Sequence, residues 1–485
     1  VQFLRENIIA FALGALYVAL SGYLIWIDQA FLTLAPIGLI AIYFAIYYTE
    51  KAFLLITLLT PLSINIEEYV DGFGLFLPTE PLLFGMMAFL LMQHARKKII
   101  PSYVWRNSII WAVGFYLFWI FITSITSVSP VTSFKFLLAK LWFVVPLLLF
   151  GPIIYQKRNN IRLFVWLFSI AMVITIAYTI VVHASYGFGE KEGHWVMWPF
   201  FKDHTIYGAM VAFLVPLLFG LYFSKKHSAL IQFVLFGLIG ITLVGLYFSY
   251  TRAAWLSIIA ALMVLAAIKL KIKFSILASI GIVLGVALFF SWDTIQMELE
   301  RNKYEHTTEE FGERLQSATN VTTDASNLER LNRWACAIEM FKERPVFGFG
   351  PGTYAFEYAR FQEPENLTII STNFGDMGNA HSEYLGPLSE MGFFGLIAML
   401  LIVSAIFYEG ITLYIDWPSD DKEMRTIILS MVLALVTYFV HGVLNNYLDT
   451  DKASVPIWTI CAIFNTLRHQ LSIERSKETD SNKLH

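Results

Sequence analysis

Charge is scarce in this chain. Only 15% of its 485 residues are Asp, Glu, Lys or Arg, where soluble domains carry about 25%. The net charge of −3 leaves no basic excess, which argues against a nucleic-acid partner. Cysteine is nearly missing as well. Cys336 lies in a polar stretch and Cys461 in a late apolar run, so the two are expected at different levels and no disulfide framework is expected. There is no internal repeat, no His/Cys/Asp/Glu cluster with metal-ligand spacing and no Ser–His–Asp order, so neither metal nor cofactor is expected. What the chain has in abundance is apolar residues, 57% of the total, in long runs separated by short polar breaks. The solvent for most of it is lipid.

A helix needs roughly 20 apolar residues to cross a bilayer. Windows of that kind fall at 8–27, 30–48, 76–93, 107–127, 134–155, 162–183, 204–223, 229–248, 252–268, 274–291, 383–408 and 425–445, with shorter ones at 51–66 and 454–467. The expected fold is therefore all-α, a polytopic transmembrane bundle of about fourteen (12–14) spans. The first window is too long for a signal-peptide core and has no small-residue cleavage site, so it is expected to be a retained span. Lys and Arg decide the sides. With a cytoplasmic N-terminus the inner breaks hold Arg96, Lys97, Lys98, Arg106, Lys157, Arg158, Arg162, Lys225, Lys226, Lys269, Lys271, Lys273, Lys422 and Arg425. The outer short breaks hold far fewer, with Lys202, Arg252 and Lys452 among them. That asymmetry puts both termini in the cytoplasm. Four regions result: an N-terminal bundle (1–291), a large extracytoplasmic and mainly helical loop (292–380), C-terminal membrane helices (381–467) and a cytoplasmic tail (468–485) whose charge predicts disorder beyond Ser472.

The outer ionisable residues are the informative ones. Helix N-termini carry partial positive charge and free N–H groups that suit phosphate, and three outer ends have reactive side chains: Phe201-Lys202-Asp203-His204, Ser249-Tyr250-Thr251-Arg252 and Asn379-Ala380-His381-Ser382-Glu383. Arg252 reads either as an interfacial arginine snorkelling to the surface or as an anion ligand, since guanidinium suits phosphate better than an ammonium does. His381 reads either as a capping residue or as a ring held neutral by a helix dipole in the first turn of its helix, able to accept a proton. Lys202, His204 and His194 are weaker candidates of the same kind. In the loop, Leu331, Trp334, Ala335, Ile338 and Phe341 follow helical spacing and predict an amphipathic surface helix. Arg330 and Arg333 share another face of it. Gly348-Phe349-Gly350-Pro351-Gly352 is expected to be a turn, and Asp449-Thr450-Asp451 a polar loop.

The stretch from Arg330 to Gly395 resembles the O-antigen ligase and polymerase family of bacterial inner-membrane proteins. The resemblance rests on Arg330 with Trp334, on Arg344-Pro345-Val346-Phe347-Gly348-Phe349-Gly350-Pro351-Gly352-Thr353-Tyr354, on His381-Ser382-Glu383-Tyr384-Leu385, and on Glu390-Met391-Gly392 with Gly395. Thr251-Arg252-Ala253-Ala254-Trp255 looks like the family's outer arginine. The family's usual His-Asn pair is His-Ser here, and about twelve spans are often drawn for it.

The resemblance implies an enzyme that works without a metal. It would transfer a glycan from an undecaprenyl-pyrophosphate-linked donor to a hydroxyl on lipid A–core, on a growing polymer or on a protein, at the periplasmic face. Arg252 and Arg330 would hold the pyrophosphate and His381 would act as base. Arg333, Lys202 and His204 would help to bind substrate. Ligase, polymerase and protein O-oligosaccharyltransferase share these motifs. The reading from a different class is a membrane transporter, which calls for inverted repeats and midplane charges.

Overall fold

In lipid every backbone N–H and C=O must be satisfied within the chain, which leaves helices as the economical solution for apolar runs of this length. The computed structural model describes residues 8–27, 33, 43–67, 74–272, 325–362 and 378–482, and it is predominantly helical. Residues 1–55 and 56–485 form two compact units. The first contains α1 (Ile8–Trp26), followed along the chain by α2 (Thr49–Leu59).

The second unit opens with a short antiparallel hairpin, β1 (Ile64–Asn65) and β2 (Phe76–Leu77), with Ile64 opposite Leu77. It continues with α3 (Thr79–Lys97), α4 (Ser108–Ile125), α5 (Pro130–Val144), α6 (Arg158–Ser185), α7 (His204–Ser224), α8 (Ala229–Tyr247), α9 (Arg252–Lys269), α10 (Ala325–Glu343), α11 (Leu385–Asp416), α12 (Lys422–His441) and α13 (Asp451–Asn482). Short polar side chains start several of these helices by accepting from their free N–H groups. Asn107 takes Ile109 N at 2.9 Å, Asp203 caps α7 and Asp421 caps α12. The α5 segment runs on to Ile154 through one π-helical turn, Val145–Phe150, that contains Pro146. Proline supplies no N–H for the regular ladder.

Among the described residues, eight helices are long and apolar enough to cross a membrane: α4, α5 with its continuation, α6, α7, α8, α9, α11 and α12. The expectation of about fourteen is matched only in part. Windows 274–291 and most of 30–48, and the loop residues 292–324 and 363–377, lie outside the described residues. Three windows, 51–66, 76–93 and 454–467, differ for visible reasons. The 51–66 window breaks at Leu59, after only 11 helical residues in α2. In α3 the buried Glu80 and the Gln93–Lys97 end interrupt the apolar run. The 454–467 window is the apolar first half of α13, which continues as helix to Asn482. The expected disorder beyond Ser472 is thus corrected: Arg468 pairs with Asp416 at 2.8 Å and Arg475 with the same carboxylate, pinning this part of α13 to the end of α11.

At the core, α7 lies against α12, and most residues of both are buried. Their free ends define two faces. At one, Arg158 pairs with Asp421 at 2.8 Å, and Arg162 and Lys225 both reach Glu423. At the other lie the start of α7, α9 and α11 and the finish of α12, the end that carries His381.

One break organises that second end. Gly392 in α11 has φ +67° and ψ −164°, so the helix kinks there and frees carbonyls of the preceding turn. The glycine-rich turn occupies the gap. Phe349 N and Gly350 N donate to the carbonyls of Ser389 and Glu390 at 3.3 and 2.8 Å, and Phe393 N donates back to Pro345 O at 2.8 Å. Trp119 Nε1 of α4 donates to Met391 O at 2.8 Å, and Tyr354 N donates to the Glu390 carboxylate at 2.9 Å. The fit is reciprocal. A Cβ on Gly348 (φ +65°) would collide with the Glu390 carbonyl, and one on Gly392 with the Val346 carbonyl. Side chains rarely adopt such a φ, at a cost of about 1–3 kcal/mol. Cys336 is fully buried in the small core next to this junction, with Met340, Phe349, Tyr354 and Tyr358. We therefore expect Gly348→Ala and Gly392→Ala to loosen it. In detergent-solubilised protein, maleimide labelling of Cys336, read by peptide mass spectrometry, should run at least about fivefold faster than in the parent. Parent-like labelling in both variants would refute the interlock.

Candidate functional site

The approach to α11 is a tight polar turn. Asn379 Oδ1 accepts from His381 N at 3.0 Å, and Ser382 Oγ accepts from the N–H groups of Tyr384 and Leu385 at 3.3 Å. His381 itself sits in the left-handed region at φ +44°. The helix begins only at Leu385, so the expected placement of His381 in its first turn is corrected. The expected neutral ring is reached by other means. Partial burial, then the Arg333 and Arg330 guanidiniums, push the His381 pKa down to about 4, against smaller opposing effects of Asn445 and Asp203.

Both arginines come from α10. This helix forms as its spacing predicts, but the face it buries differs. Arg333, Cys336, Ala337 and Met340 are buried, while Ile338 of the expected apolar stripe is exposed. The reason is an ion pair. Arg333 Nε meets Glu329 Oε1 at 2.8 Å with both side chains under 9% exposed, and its guanidinium also donates to Asn379 O at 3.3 Å and stacks over the Tyr358 ring at 5.1 Å. A buried charge with three partners is held in place, so Arg333 fixes the turn before His381 and sets the local field. Arg330, one turn nearer the start of α10, is half-buried and acts electrostatically on both His381 and Tyr447.

Arg252 opens α9 after a strained turn. Tyr250 is left-handed at φ +51°. Its hydroxyl donates to Phe188 O at 2.8 Å, and Thr251 Oγ1 donates to His204 O at 2.7 Å. The His204 ring stacks on His194, with centroids 4.2 Å apart. One residue earlier, Asp203 caps α7 by accepting from Thr205 N and Ile206 N, and its charge reaches His381. Arg252 is thus joined to the His381 group through the start of α7. Lys202 stands further out and pairs with Glu67 at 3.2 Å, with its own side chain well exposed.

Four side chains of this end were not singled out as site residues from the sequence. Glu383 is buried and accepts from Tyr438 Oη at 2.6 Å, Tyr447 N at 2.6 Å and Leu448 N at 2.9 Å. Asn445 holds its amide nitrogen 3.4 Å from His441 Nε2, and its amide favours the protonated form of His381. Tyr447 Oη donates to Thr205 Oγ1. A signal existed for two of them, polar side chains four apart at the finish of an apolar run, although α12 ends at His441 and Asn445 lies in the segment beyond it. The 425–445 window absorbed both as span. The Asp449-Thr450-Asp451 reading is also corrected. Asp451 is no loop residue but the buried start of α13, receiving Ser63 and Thr79 hydroxyls, and Lys452 is buried with donation to Thr60 O at 2.8 Å and Ser63 O at 2.7 Å.

Below the Arg252 turn lies an apolar cavity of about 590 Å³ between α7, α8, α9 and α12. Leu246 and Trp255 line its near end, Leu262 its middle, and Lys269 and Thr426 its far end. Among the described residues no group of three or more His, Cys, Asp or Glu is placed to hold a metal ion.

Comparison with curated proteins finds no match. Residues 237–400 match the family described as O-antigen ligase, a stretch from within α8 into α11 that contains Arg252, Arg330, Arg333 and His381 and leaves Lys202, His204, His441 and Asn445 outside. Over that stretch, about a third of its length, the chain is similar to the O-antigen ligase family.

Proposed function

We propose that this membrane protein transfers a glycan from an undecaprenyl-pyrophosphate-linked donor to an acceptor hydroxyl, that of lipid A–core as an O-antigen ligase, on the periplasmic face of the bacterial inner membrane. The observation that carries the proposal is a half-buried, neutral histidine beside guanidinium groups at one end of an apolar bundle, within the family-matched region. In the reaction the acceptor oxygen bonds to the anomeric carbon and its proton passes to His381. The bond from that carbon to the pyrophosphate oxygen breaks, and the electron pair leaves with undecaprenyl pyrophosphate. Arg252 and Arg330 grip the donor's phosphates and stabilise the charge that develops on them. Lys202 and His204 bind the glycan at the rim, and Arg333 contributes its charge from inside the α10 ion pair. The apolar cavity that starts one turn from Arg252 suits a polyprenyl tail. The gathering of Arg158, Arg162 and Lys225 at the opposite end agrees with a cytoplasmic assignment for that face. A polymerase or a protein O-oligosaccharyltransferase would use the same steps with a different acceptor.

The roles separate experimentally. Arg252→Ala or Arg330→Ala should weaken donor binding as well as slow turnover, with lysine restoring part because it keeps the charge and loses the fork. His381→Ala should bind donor nearly normally and lose about 10²–10⁴-fold in single-turnover rate. A base works only when unprotonated, so the parent's rate should be level near neutrality and fall as the pH drops through the His381 pKa. That pKa is about 4 in the free protein and is raised by the donor's negative charge. His381→Ala should lack this acid limb, and full turnover in that variant would remove the base from the reaction.

Topology and metal dependence have their own tests. Phe356→Cys, at an exposed position of the loop, should react with an impermeant thiol reagent in cells permeabilised only at the outer membrane, and Lys98→Cys should not; the reverse pattern would put the site on the wrong face. Transfer from purified donor should survive EDTA. Loss restored by Mg²⁺ or Mn²⁺ would overturn the metal-independent scheme.

A further inference from the structure

Among the side chains that act on His381, Asn445 lies outside the family-matched stretch, as Asp203 does. It is buried just past the end of α12, and its amide acts on the ring so as to favour the protonated form. An amide favours an imidazolium through its oxygen, which puts that oxygen toward the ring. The amide nitrogen faces His441 Nε2 at 3.4 Å, which fixes that assignment from the other side. An N–H toward Nε2 makes Nε2 the acceptor and leaves the hydrogen of neutral His441 on Nδ1, a buried atom with no hydrogen-bond partner. The backbone on either side is fastened. Glu383 N donates to Gly442 O at 2.8 Å, and the Glu383 carboxylate takes Tyr447 N and Leu448 N. Residues 381–383 and 442–448 are therefore stitched together both before and after Asn445.

We propose that Asn445, oriented by His441, is the positioning residue of the transfer reaction: its amide oxygen holds the His381 ring in one tautomer and rotamer, with the free nitrogen turned to the acceptor hydroxyl. This rests on the glycan-transfer reading above. The hydrogen that one imidazole nitrogen donates determines which nitrogen keeps the lone pair. Without the amide the ring can turn or exchange tautomers, and the productive fraction falls. Because Asn445 is neutral it passes on no proton. The proton taken from the acceptor stays on His381 until the products leave and is then lost to water. The role differs from that of the arginines, since Asn445 acts on the base and not on the donor's phosphates.

The test uses the full-length protein in detergent or nanodiscs with purified lipid-linked donor, measuring donor affinity, single-turnover rate and the pH profile of that rate. Asn445→Ala should bind donor within about twofold of the parent and react about 10- to 100-fold more slowly, the cost that removing an orienting partner carries for metal-ligating histidines. Asn445→Asp keeps the acceptor atom and adds charge. It should recover much of the rate and move the acid limb to higher pH, because a carboxylate stabilises the imidazolium. The other charges facing His381 are Arg330 and Arg333 from α10 and Asp203 from the start of α7, and the other titratable ring near it is His441 from α12. All are unchanged in both variants, so a shift of the limb reports on position 445 itself. A purely structural role moves stability and donor affinity and leaves the limb in place. A parent-like rate in Asn445→Ala beside a slow His381→Ala overturns this proposal and spares the base. A parent-like rate in His381→Ala overturns both. Loss of donor binding in both Asn445 variants makes the residue a structural or donor contact and overturns the positioning role.

Discussion

The site end of this bundle depends on how the chain satisfies the backbone groups exposed where α11 breaks. A helix interrupted at membrane depth leaves N–H and C=O groups that water cannot reach, each costing several kcal/mol if orphaned. Here the Ser389 and Glu390 carbonyls are taken by Phe349 and Gly350, and Trp119 takes Met391. That solution dictates the rest. The glycine-rich turn must lie against the kink, so α10, which leads into it, must lie alongside α11. Arg330 and Arg333 are then delivered beside the turn that holds His381, and Ser127 and Ser133 from the α4–α5 region close over the same loop.

Placing two guanidiniums beside a histidine has an energetic cost that the fold meets with carboxylates outside the immediate site. Glu329 neutralises Arg333 within α10, and Asp203 offsets part of the remaining field from the start of α7. Glu383 is not a third counter-charge: its three donors are Tyr438 and two backbone N–H groups of the segment after α12. Its work is to hold the backbone that carries Asn445. The division is economical in physical terms: charged partners tune the field, and neutral hydrogen bonds fix geometry.

Several of these features were legible in the sequence. Apolar run length gave the helices α4 to α9 and α12 to within a few residues, because lipid allows few alternatives, while α11 runs eight residues past its window to Asp416. The glycines of the 348–352 stretch read correctly as a turn, and Arg252, Arg330 and His381 stood out by chemistry. What the sequence withheld was burial direction. The spacing of Leu331, Trp334 and Ile338 named an apolar face for α10, yet the buried face follows Arg333, since an arginine with a carboxylate four residues away can be buried where a lone one cannot. Likewise, Asp451 and Lys452 looked like loop residues because their partners, Ser63, Thr60 and Thr79, are nearly four hundred residues away in the chain. The role proposed for Asn445 was hidden for the same reason, since it depends on His381, on another element.

A last consequence concerns the strength of the base. A histidine whose pKa lies near 4 is mostly unprotonated at neutrality, as a general base must be, but it binds a proton weakly, and each unit of depression removes about 1.4 kcal/mol from that binding. Burial is the largest cause of the depression, and Arg333 and Arg330 add to it; they are the charges a pyrophosphate would meet on entering. An anion at Arg330 cancels part of their field at the ring, so donor binding and proton affinity at His381 are linked, and each strengthens the other by the same factor. On the proposed glycan-transfer reading, an acceptor hydroxyl would face a poor base in the empty site and a better one beside the donor. That ordering would need no moving part, because the arginines would serve both as the donor's grip and as a source of the field on the histidine.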